Sequence, residues 1–95
     1  MESQQPDRRG AHRYELRLVV TLAGIRAESR NLSSSGLYAV CDQPFDEGAD
    51  LPVEIFFPRA ANEVRRVTGT GSVTRVSPDQ GQTGVGLRWK EWRFA

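Results

Sequence analysis

Apolar and polar residues alternate along much of the chain, and this period of two predicts short β-strands. Residues 15–22 and 51–57 show it most clearly, since every second side chain there is apolar. The side chains predicted to face inward are Leu16, Leu18, Val20 and Leu22 in the first segment, and Leu51, Val53, Ile55 and Phe57 in the second. Such alternation is typical of half-buried strands with one face on a core.

Turn-forming residues separate six such segments. The strands are predicted at residues 15–22, 25–30, 37–41, 51–57, 63–76 and 82–89, the fifth being either a strand pair or one bent strand. Ala23-Gly24 predicts a two-residue hairpin turn, and residues 77–81 predict another turn. Gly69 and Gly71 indicate a bulge or a tight bend. Six short strands without a long helical period predict an all-β fold, a small six-stranded antiparallel barrel.

The length of 95 residues fits one small domain, and the composition excludes several classes of protein. Residues 1–8 are predicted to be a flexible leader before a single barrel domain over residues 9–95. No run of about eighteen apolar residues predicts a membrane span, and the polar N-terminus lacks the apolar stretch of a signal peptide. Cys41 is the only cysteine, so no internal disulfide is possible and a reducing cytoplasm is expected.

Catalysis and metal binding are both disfavoured by the residue types present. The chain has one histidine and one cysteine, His12 and Cys41, whereas a metal site needs three or four clustered ligands. His12 stands among arginines before the first strand, which is a poor place for a general base oriented by a third group. The sequence therefore predicts a binding protein that is not an enzyme and has no cofactor of its own.

Arginine dominates the basic residues and is unevenly distributed. Twelve of the thirteen basic residues are arginine, and they concentrate in residues 1–36 and 64–95, on either side of an acidic middle segment. The guanidinium group presents a planar fork of donors that fits phosphates and guanine edges, which lysine cannot copy. A general arginine bias of the composition is an equally simple explanation, so the bias alone assigns no ligand.

Two motifs, in a fixed order, predict an anion-binding site. Arg9 and Arg13 lie four positions apart before the first strand, and residues 31–36 read Asn-Leu-Ser-Ser-Ser-Gly after the first hairpin. In so arginine-rich a chain, about one or two Arg-x-x-x-Arg pairs are expected by chance, whereas the pattern Asp/Asn-x-Ser-x-x-Gly is expected about 0.05 times. The turn therefore has more weight than the arginine spacing.

Each residue of these motifs has a chemical reason to be there. Asn31 and Ser33 offer an amide and a hydroxyl on the same side of an extended segment. Gly36 can take a positive φ and lets a ligand approach the backbone closely. Arg9 and Arg13 flank a short spacer, so both can close over one ligand and pair with a phosphate or with a guanine edge. A purine nucleotide that has a phosphate group uses both kinds of contact.

Simpler explanations exist for each motif by itself. The turn can be a plain Asx or Ser turn between two strands, and the arginines can be a solvated basic tail. The basic ends could also bind nucleic acid, although only Tyr14, Tyr38 and Trp89 are plausible base-stacking aromatics and the acidic middle segment opposes such binding. The two motifs together favour a small nucleotide ligand.

The same residues resemble those of the PilZ domain family. The segment Arg8-Arg9-Gly10-Ala11-His12-Arg13 is similar to its N-terminal arginine motif, and residues 31–36 are similar to its second motif, in which Asp or Asn is usual at the first position. Residues 69–76 and 84–87 resemble its later strands. The resemblance implies a six-stranded antiparallel barrel that binds cyclic di-GMP, a bacterial second messenger, often as a stacked pair of molecules.

The resemblance also implies a role for each site residue. Arg9 and Arg13 would contact guanine and phosphate, with Arg8 assisting. Asn31 and Ser33 would hydrogen-bond a guanine base, and Gly36 would shape the turn. Arg75 occupies a strand position where some relatives place another ligand-contacting arginine or tryptophan. Ligand binding would order the arginine arm, residues 8–13, and present it to a protein partner. The alternative is a family member that interacts with proteins without binding nucleotide.

The C-terminal residues depart from the family pattern. Many relatives end in a helix packed on the barrel, whereas residues 89–95 leave room for one or two helical turns at most, so little or no C-terminal helix is expected. Trp92 and Phe94 would then cover the open end of the barrel or remain exposed for a partner.

Overall fold

The computed structural model describes residues 16–58 and 64–94, and every helix or strand within these ranges is a β-strand. The six strands are β1 (Val19–Leu22), β2 (Ile25–Leu32), β3 (Gly36–Cys41), β4 (Asp50–Pro58), β5 (Val64–Asp79) and β6 (Gln82–Phe94). The all-β prediction is confirmed. The predicted leader, residues 1–8, lies outside the described residues.

The strands close into a barrel in the order β1-β2-β3-β6-β5-β4, with every pair antiparallel. Closure depends on β1, whose Val20 pairs with Ala27 of β2 on one side and with Ile55 of β4 on the other. The fifth predicted segment is one continuous strand, β5. A closed barrel leaves no unpaired strand edge, and the predicted six-stranded antiparallel barrel is confirmed.

Two-residue turns connect β1 to β2 and β5 to β6. Ala23 and Gly24 have φ values of 53° and 81°, and Gln80 and Gly81 have φ values of 50° and 84°. Pairs of positive φ are what tight hairpins require to match the twist of their strands. The first turn lies where the sequence predicts it. The second is shorter than predicted, because β5 continues to Asp79 instead of ending at residue 76.

Alternate side chains from all six strands form one apolar core inside the barrel. The core residues are Val20, Leu22, Ala27, Leu37, Ala39, Cys41, Leu51, Val53, Ile55, Val67, Val73, Val85 and Leu87. Leu18 and Phe57 pack against this core, as the period of two predicts. The prediction for Leu16 is wrong, since this side chain is 37% exposed. The reason is that β1 begins only at Val19, so the alternation of a strand does not extend back to residue 16.

Bulges shift the register at three places within the described strands. Gly71 pairs with Trp89 while Thr70 pairs with Glu91, so β6 has one extra residue between the two pairs. The extra residues of the three bulges are Lys90 in β6, Thr74 in β5 and Arg30 in β2. The predicted irregularity beside Gly69 and Gly71 is therefore present, although the extra residue lies in the partner strand.

β6 extends beyond its predicted end at residue 89 and reaches Phe94, so the C-terminal segment forms strand and no helical turn. The rings of Trp89 and Trp92 stack with centroids 5.6 Å apart and planes 9° apart. Trp92 covers Trp89 and is itself 42% exposed, whereas the side chain of Phe94 lies outside the described part of the chain. The described residues contain no helix that is long and apolar enough to cross a membrane.

Candidate functional site

The polar turn between β2 and β3 is held together by its own residues. The backbone N–H of Ser33 donates to the carbonyl oxygen of Gly36 at 3.0 Å. The Ser33 hydroxyl oxygen accepts the backbone N–H groups of Ser35 and Gly36, both at 3.2 Å. Ser33 therefore makes the plain serine turn that the sequence offers as an alternative. Its hydroxyl hydrogen can still donate, either to Ser35 Oγ at 3.1 Å or to a ligand.

Gly36 is needed at this turn for a different reason from the one the sequence suggests. The described glycines with positive φ are Gly24, Gly48 and Gly81, so Gly36 does not use the positive φ that a glycine can take. A Cβ at position 36 would overlap the backbone carbonyl of Leu87 in β6. The missing side chain thus lets β3 and β6 approach closely beside the turn.

Asn31 lies next to the turn on the outer face of the barrel. It pairs with Tyr38, whose chain neighbours Leu37 and Ala39 both point into the core. Tyr38 therefore faces outward, and its cross-strand partner Asn31 shares that face. The Asn31 amide has no hydrogen-bond partner among the described residues, so its donors and its acceptor are available to a ligand.

Arg75 reaches the same face from β5. It pairs with Gly86 directly after the extra residue Thr74. The Cζ atom of Arg75 lies 5.9 Å from the centroid of the Tyr38 ring, close to the outer limit of about 6 Å for a cation–π contact. The structure therefore brings Arg75 beside Tyr38, the cross-strand partner of Asn31.

Tyr38 is an anchored part of this site that the motif analysis does not assign to the ligand. Its hydroxyl donates to Asp79 Oδ2 at 2.6 Å. This hydrogen bond, followed by burial and by the negative charge of Asp79, raises the pKa of Tyr38 above its usual value of 10.0. A Cβ at Gly84 would overlap the Tyr38 hydroxyl. Gly84 therefore makes room for an aromatic side chain on the neighbouring strand, a contact that the sequence alone does not reveal.

These side chains line one open groove with a volume of about 770 Å³. The predicted residues in it are Asn31, Ser33, Gly36 and Arg75, and the main residues that sequence reasoning missed are Tyr38, Thr74, Gly86 and Arg88. Arg75 and Arg88 are exposed, and no carboxylate of the described residues lies within salt-bridge distance of either. Within the same residues, no group of three or more His, Cys, Asp or Glu could hold a metal ion.

The three arginines of the predicted arm, Arg8, Arg9 and Arg13, lie outside the described residues. The segment that follows them is fixed next to β2. The Ser29 hydroxyl accepts the N–H of Leu18 at 2.9 Å and donates to the carbonyl of Leu16. Ser29 precedes Asn31 by two positions, so the chain approaches β1 alongside the strand that ends at the groove.

The aromatics considered for nucleic-acid binding are already engaged in the fold. The Trp89 indole N–H donates to the carbonyl of Ser33 at 3.1 Å, and its ring packs against the core. Tyr38 is tied to Asp79 and lies beside Arg75. Trp89 is therefore not a free platform on which a base could stack, and Tyr38 alone among the described aromatics of this set lines the groove, which gives no row of platforms for successive bases. Tyr14 lies outside the described residues.

Comparison with known proteins identifies a matching family and a similar structure. The family model of the PilZ domain matches residues 7–93. Among solved structures, the chain is similar to MotI/DgrA, an inhibitor of motility from Bacillus subtilis, with a TM-score of 0.75 and 24% sequence identity. The similarity covers 93% of this chain and 44% of that protein, so the chain spans less than half of its length. No curated protein matches.

Proposed function

The chain belongs to the PilZ domain family, and from this premise we propose that it is a receptor module for cyclic di-GMP. The nucleotide binds, singly or as a stacked pair, in the groove beside the Ser33–Gly36 turn. Binding orders the arginine arm of residues 8–13, which signals to a protein partner in the cytoplasm. The module performs no catalysis.

The observation that supports this proposal most directly is the meeting of distant residues in one groove. Asn31 and Ser33 come from the end of β2 and the turn after it, whereas Arg75 comes from β5 on the other side of β6. The volume of about 770 Å³ lies within the range of about 300–1,000 Å³ that small-molecule sites occupy. An amide and a guanidinium group together suit a base edge and a phosphate.

The charge of the groove suits a ligand with two phosphate groups. Arg75 and Arg88 are exposed there, without a carboxylate partner among the described residues. A guanidinium group can pair with a phosphate through two parallel hydrogen bonds, which adds geometric selectivity to the attraction. The groove therefore favours an anion before the arm contributes any further arginine.

The last residue of the arm, Arg13, is close enough along the chain to reach the groove. Leu16 is tied to Ser29, and Ser29 precedes the groove residue Asn31 by two positions. Arg13 precedes Leu16 by three positions, a separation of at most about 10 Å in an extended chain. Arg13 can therefore be placed over a ligand that contacts Asn31.

The energy of ordering the arm decides how many contacts binding needs. Ordering six backbone residues costs about 6–12 kcal/mol, and micromolar affinity requires about 8 kcal/mol in addition. A bidentate arginine contact with guanine supplies about 1–3 kcal/mol. Several such contacts and base stacking are therefore required, and the loss of one arginine weakens binding severely.

Isothermal titration of the full chain with cyclic di-GMP tests the proposal, with GTP as the control ligand. We expect binding of cyclic di-GMP, and about 5- to 150-fold weaker binding by the variants Arg13→Ala and Arg75→Ala, as a lost bidentate contact predicts. Arg26→Ala is the matched control, because Arg26 is exposed on β2 outside the groove. Unchanged binding by Arg13→Ala would show that the arm mechanism is wrong.

A second candidate is a protein-interaction module that binds no nucleotide. The observation in its favour is that large apolar side chains are exposed on the described surface, with Val19 at 39% and Trp92 at 42%. Such side chains are common at protein interfaces. A folded chain that shows no heat of binding with cyclic di-GMP would favour this candidate over the receptor.

A further inference from the structure

Trp89 in β6 donates two hydrogen bonds to the turn beside the groove. Its backbone N–H donates to the carbonyl of Ser35 at 3.0 Å, and its indole N–H donates to the carbonyl of Ser33 at 3.1 Å. Within the turn itself, the Ser33 hydroxyl accepts the N–H groups of Ser35 and Gly36. The turn is therefore clamped between the Ser33 hydroxyl and the Trp89 indole.

The Trp89 indole is itself fixed from both sides. One side packs against the barrel core, and Trp92 stacks against the ring at a centroid distance of 5.6 Å. Residues three apart point to opposite faces of a regular strand, but the extra residue Lys90 places both tryptophans on one face. A Cβ at Gly69 would lie 2.5 Å from the Cβ of Trp92, so the opposite strand leaves room for this stack.

The position of the indole determines where the ligand-facing groups of the turn lie. The Ser33 carbonyl and the Ser33 hydroxyl belong to one residue, so a shift of the carbonyl moves the hydroxyl. Ser33 follows Asn31 by two positions, and both residues line the groove. Trp89 is absent from the groove lining, so we expect it to act on a ligand through the turn residues that it holds, Ser33 and Ser35.

We propose that Trp89 is a positioning residue of the cyclic di-GMP site, whose indole N–H holds the Ser33–Gly36 turn in the conformation that binds the ligand. This inference rests on the proposed function. It extends the site to a residue on β6 that neither binding motif contains. The fluorescence of Trp89 should also report ligand binding, because a ligand that contacts Ser33 changes the hydrogen bond between the Ser33 carbonyl and the Trp89 indole.

Two matched variants separate positioning from structural support. The chain has two tryptophans, so Trp89→Phe and Trp92→Phe each leave one. Trp89→Phe keeps an aromatic ring for packing but removes the indole donor together with part of the fused ring. Trp92→Phe makes the same change on the outer ring of the stack and so controls for the loss of ring area. The measurements are the affinity for cyclic di-GMP by titration calorimetry, the thermal midpoint, and the tryptophan emission with and without ligand.

We expect Trp89→Phe to bind about three- to tenfold more weakly than the wild type, because that is the net contribution of a single hydrogen bond. Trp92→Phe should bind like the wild type. The ligand should shift the emission of Trp92→Phe, which reports Trp89, more than that of Trp89→Phe. Wild-type affinity in Trp89→Phe, or ligand-insensitive emission in Trp92→Phe, overturns the inference while leaving the proposed function intact. If Trp89→Phe does not fold, the emission of Trp92→Phe decides the question alone. Absence of binding by the wild type refutes the proposed function itself.

Discussion

Replacement of Ser29 by alanine should destabilise the barrel at the place where the chain enters β1. Ser29 is fully buried and is the only buried polar residue among the described residues. Its hydroxyl accepts the N–H of Leu18 at 2.9 Å and donates to the carbonyl of Leu16. Its backbone N–H also donates to the carbonyl of Leu18 at 2.9 Å. The side chain of Ser29 therefore supplies two of the three hydrogen bonds that hold residues 16–18 on β2.

The magnitude follows from the groups that alanine leaves unpaired. The Leu18 N–H and the Leu16 carbonyl both lose a partner, but both contacts are only partly buried, so together they should cost as much as one fully buried unsatisfied group, about 1–3 kcal/mol. For a domain of this size, 1 kcal/mol shifts the thermal midpoint by about 4–8 °C. We therefore expect Ser29→Ala to lower the midpoint by about 4–24 °C, with the same barrel fold retained.

Ser72→Ala is the matched control for this experiment. The Ser72 hydroxyl also donates a short hydrogen bond, to Asp50 Oδ1 at 2.6 Å, but this contact is exposed to solvent. Water can replace it, so the change in the free energy of unfolding should stay within about 0.5 kcal/mol. Thermal and urea unfolding followed by circular dichroism measure both variants. Equal destabilisation by Ser29→Ala and Ser72→Ala would refute the argument that burial makes the Ser29 contacts important.

Two further predictions concern the acid limit of stability and the close approach of β5 to β6. Ser72, and then Lys90, lower the pKa of Asp50 below 3.8, so this carboxylate stabilises the fold above that pH and loses its contribution as the pH falls through the folded-state value. Asp50→Asn should be less stable than the wild type in urea at about pH 6, and the difference should shrink as the pH falls through the folded-state pKa of Asp50; a difference that does not change with pH would contradict the assignment. Gly69→Ala places a Cβ 2.7 Å from the Cα of Trp92, so urea unfolding should show a loss of about 1–3 kcal/mol, whereas wild-type stability would mean that the two strands separate freely.

The strands and turns could be predicted from the sequence because burial alternates wherever one face of a strand lies on a core. The prediction failed at Leu16, because the alternation of apolar and polar residues in the sequence begins before the first residue of β1, Val19. It also gave no partner for β1, since the pairing of Val20 with Ile55 joins residues that are distant in the chain. Local patterns specify elements, and the closure of the barrel depends on contacts between elements.

The candidate site was predictable only in its local part. Asn31 and Ser33 belong to one short motif, so the sequence could place them together. The addition of Arg75 needed the family resemblance, and Tyr38 and Arg88 enter the groove only through the pairing of β3 with β6 and of β6 with β5. The need for glycine at position 36 could not be derived from the motif, because the contact that excludes a side chain there comes from Leu87, which lies far along the chain.

Bulges account for the direction of two groove residues, and a period of two cannot predict them. Val73 points into the core, so in a regular strand Arg75 would point inward as well; the extra residue Thr74 turns it outward, beside Tyr38. Ser29 is likewise fully buried, and the extra residue in β2 turns Asn31 to the outer face. An inward-facing arginine or amide without partners would be expensive in an apolar core. The two bulges therefore avoid that cost and place both side chains on the outer face, where one anionic ligand can contact them together.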